Sequence, residues 1–133
     1  MLYLQKNLTR HIMKKLLTSI LLLFAAMTMQ AQSISYIETS GSWYYIYDQD
    51  GKKVKTLPTN IGELQGYSAS LFVVKNGSWY YIYDAKGSKI KTMSVSTVGE
   101  VVAVTGETFT SRLGSWIYIW NKEGKKIGTR AAH

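Results

Sequence analysis

Two glutamates, Glu63 and Glu100, occupy the same place in two copies of one repeated pattern, each preceded by Gly and followed by an apolar residue. Carboxylates paired by such pseudo-symmetry could perform the acid–base hydrolysis of a glycoside. No groups that would position a sugar accompany them, so pairing with neighbouring lysines, or charge at a strand end, is the better account. Asp48-Gln49-Asp50-Gly51 has the opening of a calcium loop, but the rest of the ligand set is missing. The corresponding stretches read Asp84-Ala85-Lys86-Gly87 and Asn121-Lys122-Glu123-Gly124, and a tight turn explains all three. After residue 31 the only histidine is His133, and the chain has no cysteine. That removes the usual His/Cys metal sites, Ser-His-Asp triads and Cys-His pairs. No glycine-rich phosphate loop precedes a helix. The expectation is a chain with no catalytic residues, no metal and no cofactor, and hence not an enzyme.

The residues left that could recognise something are aromatic. They are Trp43, Tyr45 and Tyr47, then Trp79, Tyr81 and Tyr83, then Trp116, Tyr118 and Trp120. Indole and phenol rings offer a flat apolar face with a polar tip, which suits both sugar stacking and protein interfaces. The same rings are also the natural core of a small domain. If Trp79 is core, Trp79→Ala should cost roughly 3–5 kcal/mol.

The elements that must hold these rings recur along the chain. Trp43 and Trp79 are 36 residues apart, and Trp79 and Trp116 are 37 apart. Tyr36, Phe72 and Phe109 each lie seven residues before their Trp, and Gly62 and Gly99 lie 17 before theirs. A fixed period of this size marks a repeat architecture. Within the second copy, runs rich in aromatic and β-branched residues predict strands at 62–67, 71–75, 78–84 and 88–93. Asn76-Gly77 reads as a type I′ hairpin turn, and Asp84 to Gly87 as the next turn. The first copy lacks its opening strand, so eleven strands are expected, with no helix after residue 31. In each third strand both faces are apolar, which predicts burial on both sides. In each fourth strand Val54, Ile90 and Ile127 should face inward, while Lys53, Lys55, Lys89, Lys91 and Lys126 blunt an outer edge.

Ahead of the repeats, Met13-Lys14-Lys15, the apolar run Leu16 to Ala26 and the small-residue end at Ala31 have the order of a secretory signal peptide. The apolar run falls short of the roughly 20 residues that span a bilayer. Met13 is the expected true start. Residues 1–31 are therefore read as leader and 32–133 as a single all-β domain, periplasmic or extracellular, with no stable membrane insertion after cleavage. The leader holds four of the sixteen Lys/Arg and none of the eight Asp/Glu, so twelve against eight leaves the domain at +4 rather than +8. With its lysines dispersed, the domain is not expected to bind nucleic acid. The lack of cysteine also excludes a lipid on a cleavage-site cysteine and leaves the core without disulfides.

The stretch Leu71 to Ile90, "LFVVKNGSWYYIYDAKGSKI", resembles the WG-type bacterial repeat: an apolar strand, Lys-Asn-Gly-x-Trp, an aromatic strand, then Asp-x-x-Gly. The family usually has Gly after the Trp, where this chain has Tyr44, Tyr80 and Ile117. The resemblance implies an all-β repeat and no particular chemistry. A weaker similarity is to cell-wall-binding aromatic repeats, which are shorter and use their rings on choline or wall polymer. The Ala-Gln end of the leader is similar to those of Bacteroides-type bacteria. Together these readings predict three antiparallel meander units packed face to face like propeller blades, with a β-trefoil or an open stack completed by oligomerisation as alternatives. The expected function is an exported, non-catalytic module binding a protein or glycan. A self-assembling homo-oligomer and a small glycan-active enzyme are the other readings.

Overall fold

The structure, a computed structural model, describes residues 32–133. The expected leader lies outside the described residues. The described residues are all-β and fold as three successive antiparallel sheets. The first holds β1 (Ile34–Ser40), β2 (Trp43–Asp48) and β3 (Lys53–Pro58). The second holds β4 (Glu63–Tyr67), β5 (Leu71–Asn76), β6 (Trp79–Asp84) and β7 (Lys89–Ser94). The third holds β8 (Glu100–Thr105), β9 (Thr108–Leu113), β10 (Trp116–Asn121) and β11 (Lys126–Ala131). Strands pair only within their own unit and in chain order, which excludes the trefoil, whose units share strands. No helix was expected, yet a single helical turn, α1 (Val95–Val98), precedes β8, and a 3-10 turn at Thr59–Ile61 precedes β4. Among the described residues no helix is long and apolar enough to cross a membrane.

The second sheet is the middle layer. Leu71, Val73, Tyr80, Ile82 and Met93 pack with Val98, Val101, Phe109 and Trp120 of the third unit. From its other face, Phe72, Val74, Tyr83 and Ala85 pack with Ile34, Ile37, Tyr44 and Ile46 of the first sheet. Four consecutive residues of β5, Leu71 to Val74, are thus fully buried, as expected of a strand covered on both faces. Among the described residues the outer sheets are covered on one face only.

Local chemistry fixes each hairpin. The turn before β6 is Gly77-Ser78, closed by the pair Asn76 and Trp79. Gly77 takes φ +61° and no non-glycine residue among the described residues has positive φ, so this is a type II′ pattern with Gly first, not the expected type I′ turn on Asn76-Gly77. The Asp-x-x-Gly turns, and the Asn-x-x-Gly turn of the third copy, are held by the side-chain oxygen of their own first residue. Asp48 Oδ1 accepts from the Asp50 and Lys52 amides, both at 2.9 Å. Asp84 Oδ1 accepts from the Lys86 and Ser88 amides, and Asn121 Oδ1 from the Lys125 amide.

The fourth strands differ from the expectation. β3, β7 and β11 do form sheet edges, but each carries a bulge opposite the third strand, between Ile46 and Tyr47, Ile82 and Tyr83, and Ile119 and Trp120. The extra residues are Val54, Ile90 and Ile127. A bulge breaks the alternation of faces, so Ile90 and Ile127 are exposed instead of facing inward, while Val54 is half-buried and packs against the core as expected.

Candidate functional site

Each junction between sheets repeats one device. The Tyr80 hydroxyl, from a side chain 1% exposed, donates to the Gly99 carbonyl at 2.7 Å. Burial pushes the Tyr80 phenol up from its ordinary pKa, more than the nearby Val101 amide lowers it. One junction earlier, the Tyr44 hydroxyl donates to the Gly62 carbonyl at 2.7 Å and accepts from the Leu64 amide at 3.2 Å. Both glycines open the next sheet, pressed against its backbone. A Cβ on Gly62 would lie 2.7 Å from the Lys75 carbonyl oxygen, and one on Gly99 would collide with the Arg112 carbonyl. The second contact of each junction is a lysine stem. Lys55 lies under the Gly87 turn and Lys91 under the Gly124 turn, whereas nothing lies within 4 Å of a Cβ on Gly51. The third sheet has Ile117 and Gly128 where these tyrosines and lysines stand, and Thr110 and Arg112 at the places of Val73 and Lys75. Its outer face is therefore more polar than the faces covered within the stack.

These contacts align the sheet edges that carry the tryptophans. Tyr44, adjacent to Trp43, reaches Gly62; Gly62 abuts Lys75; and the next residue, Asn76, pairs with Trp79. The relay from Tyr80 through Gly99 to Leu113, the partner of Trp116, is equivalent. Trp43, Trp79 and Trp116 thus form a row along one edge, one indole per sheet. They are 45%, 48% and 50% exposed, which corrects the expectation of a tryptophan core. Each follows a two-residue turn at the very end of a sheet, where the layers no longer cover one another.

The other expected site residues separate. Tyr83 and Trp120 are buried, stacked on Phe72 at 4.8 Å and Phe109 at 6.3 Å, and belong to the core. Burial raises the Tyr83 phenol pKa, with Tyr81 adding to it. Tyr81 and Tyr118 are half-buried beneath Lys89 and Lys126, whose ammonium groups sit 4.8 and 3.9 Å from the ring centres. Tyr45 has Lys53 above it at 4.2 Å. The bulge explains the repetition, since it leaves each lysine opposite the aromatic two positions beyond the ring it covers. Tyr45 and Tyr47 lie on the open face of the first sheet with Tyr36, which stacks on Tyr47 at 6.4 Å and is 52% exposed.

Sequence reasoning did not single out Tyr36, Glu38, Tyr44 or Tyr80 as site or junction residues. The signal available was the change from Phe72 and Phe109 to a hydroxyl-bearing ring in the first copy. Glu63 and Glu100 are exposed and face Lys75 and Arg112 across their strands, on successive sheets. Neither lines the shallow cleft of about 220 Å³ formed by Ile61, Asn76, Tyr81, Tyr83 and Lys89, which is smaller than the ~300–1,000 Å³ of ordinary small-molecule sites. Among the described residues no three His, Cys, Asp or Glu side chains are grouped so as to hold a metal. No family model, curated protein or solved structure matches the chain.

Proposed function

We propose that this chain is an exported, non-catalytic repeat module that binds a cell-surface or extracellular protein or glycan along its tryptophan edge. The observation that carries the reading is the row Trp43, Trp79 and Trp116, each about half exposed on aligned sheet edges. A half-exposed indole at a repeated position contributes little to the core, and large aromatic side chains are the usual anchors of recognition. The signal-peptide pattern supports export. The test is a titration of the purified protein with soluble cell-wall polysaccharide and with surface-protein extract, read by tryptophan fluorescence. Binding should change the emission and weaken at least tenfold in Trp79→Ala without loss of the folded state. An unchanged spectrum with both preparations rejects the reading.

Self-assembly is the second reading, and a specific observation favours it. Among the described residues the first sheet is one strand short and no sheet covers Tyr36, Tyr45 and Tyr47, whereas the equivalent faces of the other sheets are packed. A mass that rises with concentration in light scattering supports it, and a constant monomer mass rejects it.

A further inference from the structure

Among the described residues, the first sheet lacks the strand that β4 and β8 supply to the other two. Those strands pair with β5 and β9, so the vacant place lies along β1. β1 is tied to β2 by a hairpin closed at Ser40 and Trp43. In an antiparallel ladder bonded pairs alternate, so Ile37 and Thr39 turn their amides and carbonyls outward. The counterparts of these two residues, Val73 and Lys75, pair with Gly66 and Glu63 of β4. β1 reads "ISYIETS", without the lysines that protect β3, β7 and β11. Its free edge adjoins the uncovered face bearing Tyr36, Glu38 and Tyr47.

The chain's own approach to β1 is directed elsewhere. The Ile34 amide, the donor that would close a two-residue hairpin onto residue 31, is bonded to the Ala69 carbonyl at 2.8 Å. The Ser33 amide is bonded to Gln49 Oε1 at 3.1 Å. In the third sheet, by contrast, Thr105 and Thr108 pair directly across their turn.

We propose that the free edge of β1 accepts an extended peptide strand from another protein, which completes the first sheet antiparallel to β1. This site goes beyond the tryptophan edge and does not depend on it. Strand addition to an open edge draws affinity from the main chain and specificity from alternate side chains. The sister strands define the pattern. In β8, Val101 lies opposite Ser111 and Val104 opposite Phe109, with a bulge between; in β4, Leu64 and Tyr67 lie opposite Val74 and Phe72. The corresponding residues of β1 are Glu38 and Tyr36. Glu38 is an acid, accepting from the Tyr47 hydroxyl at 3.1 Å, where the sister sheets have Val74 and Ser111. The incoming strand therefore carries a lysine or arginine opposite Glu38 and, three residues later, an apolar or aromatic side chain on Tyr36.

The experiment uses a fluorescein-labelled peptide of residues 99–105 carrying Val101→Lys, added to the purified protein and followed by anisotropy. The expected result is saturable binding, at least tenfold tighter than that of a scrambled peptide. Thr39→Pro removes an outward amide at an exposed edge position and should weaken binding at least tenfold. Glu38→Lys should reverse the preference, so that the peptide with Val101→Glu binds better than the one with Val101→Lys. Should Thr39→Pro disturb folding, the charge reversal alone decides. The proposal is overturned if no peptide saturates below about 1 mM, or if binding ignores both variants. It is also overturned if the protein is a dimer that Thr39→Pro dissociates, since a second copy would then occupy the edge. Loss of the tryptophan titration leaves this result untouched, because different residues are read.

Discussion

Tyr80→Phe isolates the contact that couples the second sheet to the third. The change removes one oxygen from a fully buried ring and leaves its packing with Leu71, Ile82 and Phe109 in place. What is lost is the 2.7 Å bond to the Gly99 carbonyl. An ordinary hydrogen bond contributes about 0.5–1.5 kcal/mol net, and a buried acceptor left without a donor costs about 1–3 kcal/mol. Gly99 is buried, so the upper part of that span applies and the expected loss is about 2 kcal/mol. In a domain of this size each kcal/mol lowers the melting temperature by about 4–8 °C, which puts the shift near 8–16 °C. Thermal melting followed by circular dichroism, with urea titration for the free energy, measures it. Tyr45→Phe is the control, since that hydroxyl is half-exposed on the open face of the first sheet. If Tyr80→Phe melts within about 2 °C of the parent, or no lower than Tyr45→Phe, the phenol–carbonyl bond does not couple the sheets and the account of the junctions is wrong.

Three further outcomes follow from the same geometry. Trp79→Ala should cost less than about 2 kcal/mol in urea, below the ~3–5 kcal/mol of a core aromatic, and a larger loss would return the indole to the core. Gly87→Ala should destabilise more than Gly51→Ala, because both have positive φ but only Gly87 would bring a Cβ within 2.6 Å of Lys55; Lys55→Ala should narrow the gap, and equal costs in the melts would show that the lysine yields freely. The raised pKa values of Tyr80 and Tyr83 act in alkali. A phenol whose folded pKa exceeds its unfolded value contributes fully below about pH 10 and loses that contribution as pH rises through the folded value. Urea stability should therefore hold to about pH 10 and then fall, and Tyr80→Phe should shrink the fall; an unchanged slope would contradict the assignment.

The repeat period, the strand order and the layered all-β build were legible in the sequence because each rests on spacing. Trp43, Trp79 and Trp116 mark the period whatever their surroundings, and Asp48, Asp84 and Asn121 announce turns that their own side chains complete. Burial was less legible. Counting alternate residues places Val54, Ile90 and Ile127 inside; Val54 does pack against the core, but the bulge in each fourth strand defeats the count at Ile90 and Ile127. The same method assigns Trp79 and Tyr83 to a common face, which is correct, but does not show that the first stands at the end of its layer and the second in the middle. The junction tyrosines were visible only as a departure from Gly after the Trp. Their purpose emerges once Gly62 and Gly99 are seen beneath their hydroxyls. The repeated tryptophans named the residues of the first surface, but their alignment arises from stacking and the second surface from a strand count, and no short motif announces either of those.

The tyrosine latch has a consequence for how such a chain can lengthen. The second layer carries both halves of the fastening, a phenol and a lysine stem on one side and a receiving glycine and turn on the other. A duplicated copy of residues 62–98 inserted ahead of Gly99 would bring both halves of the fastener with it. Length could then grow by whole modules, each adding one indole to the working edge, while the terminal layers keep their character.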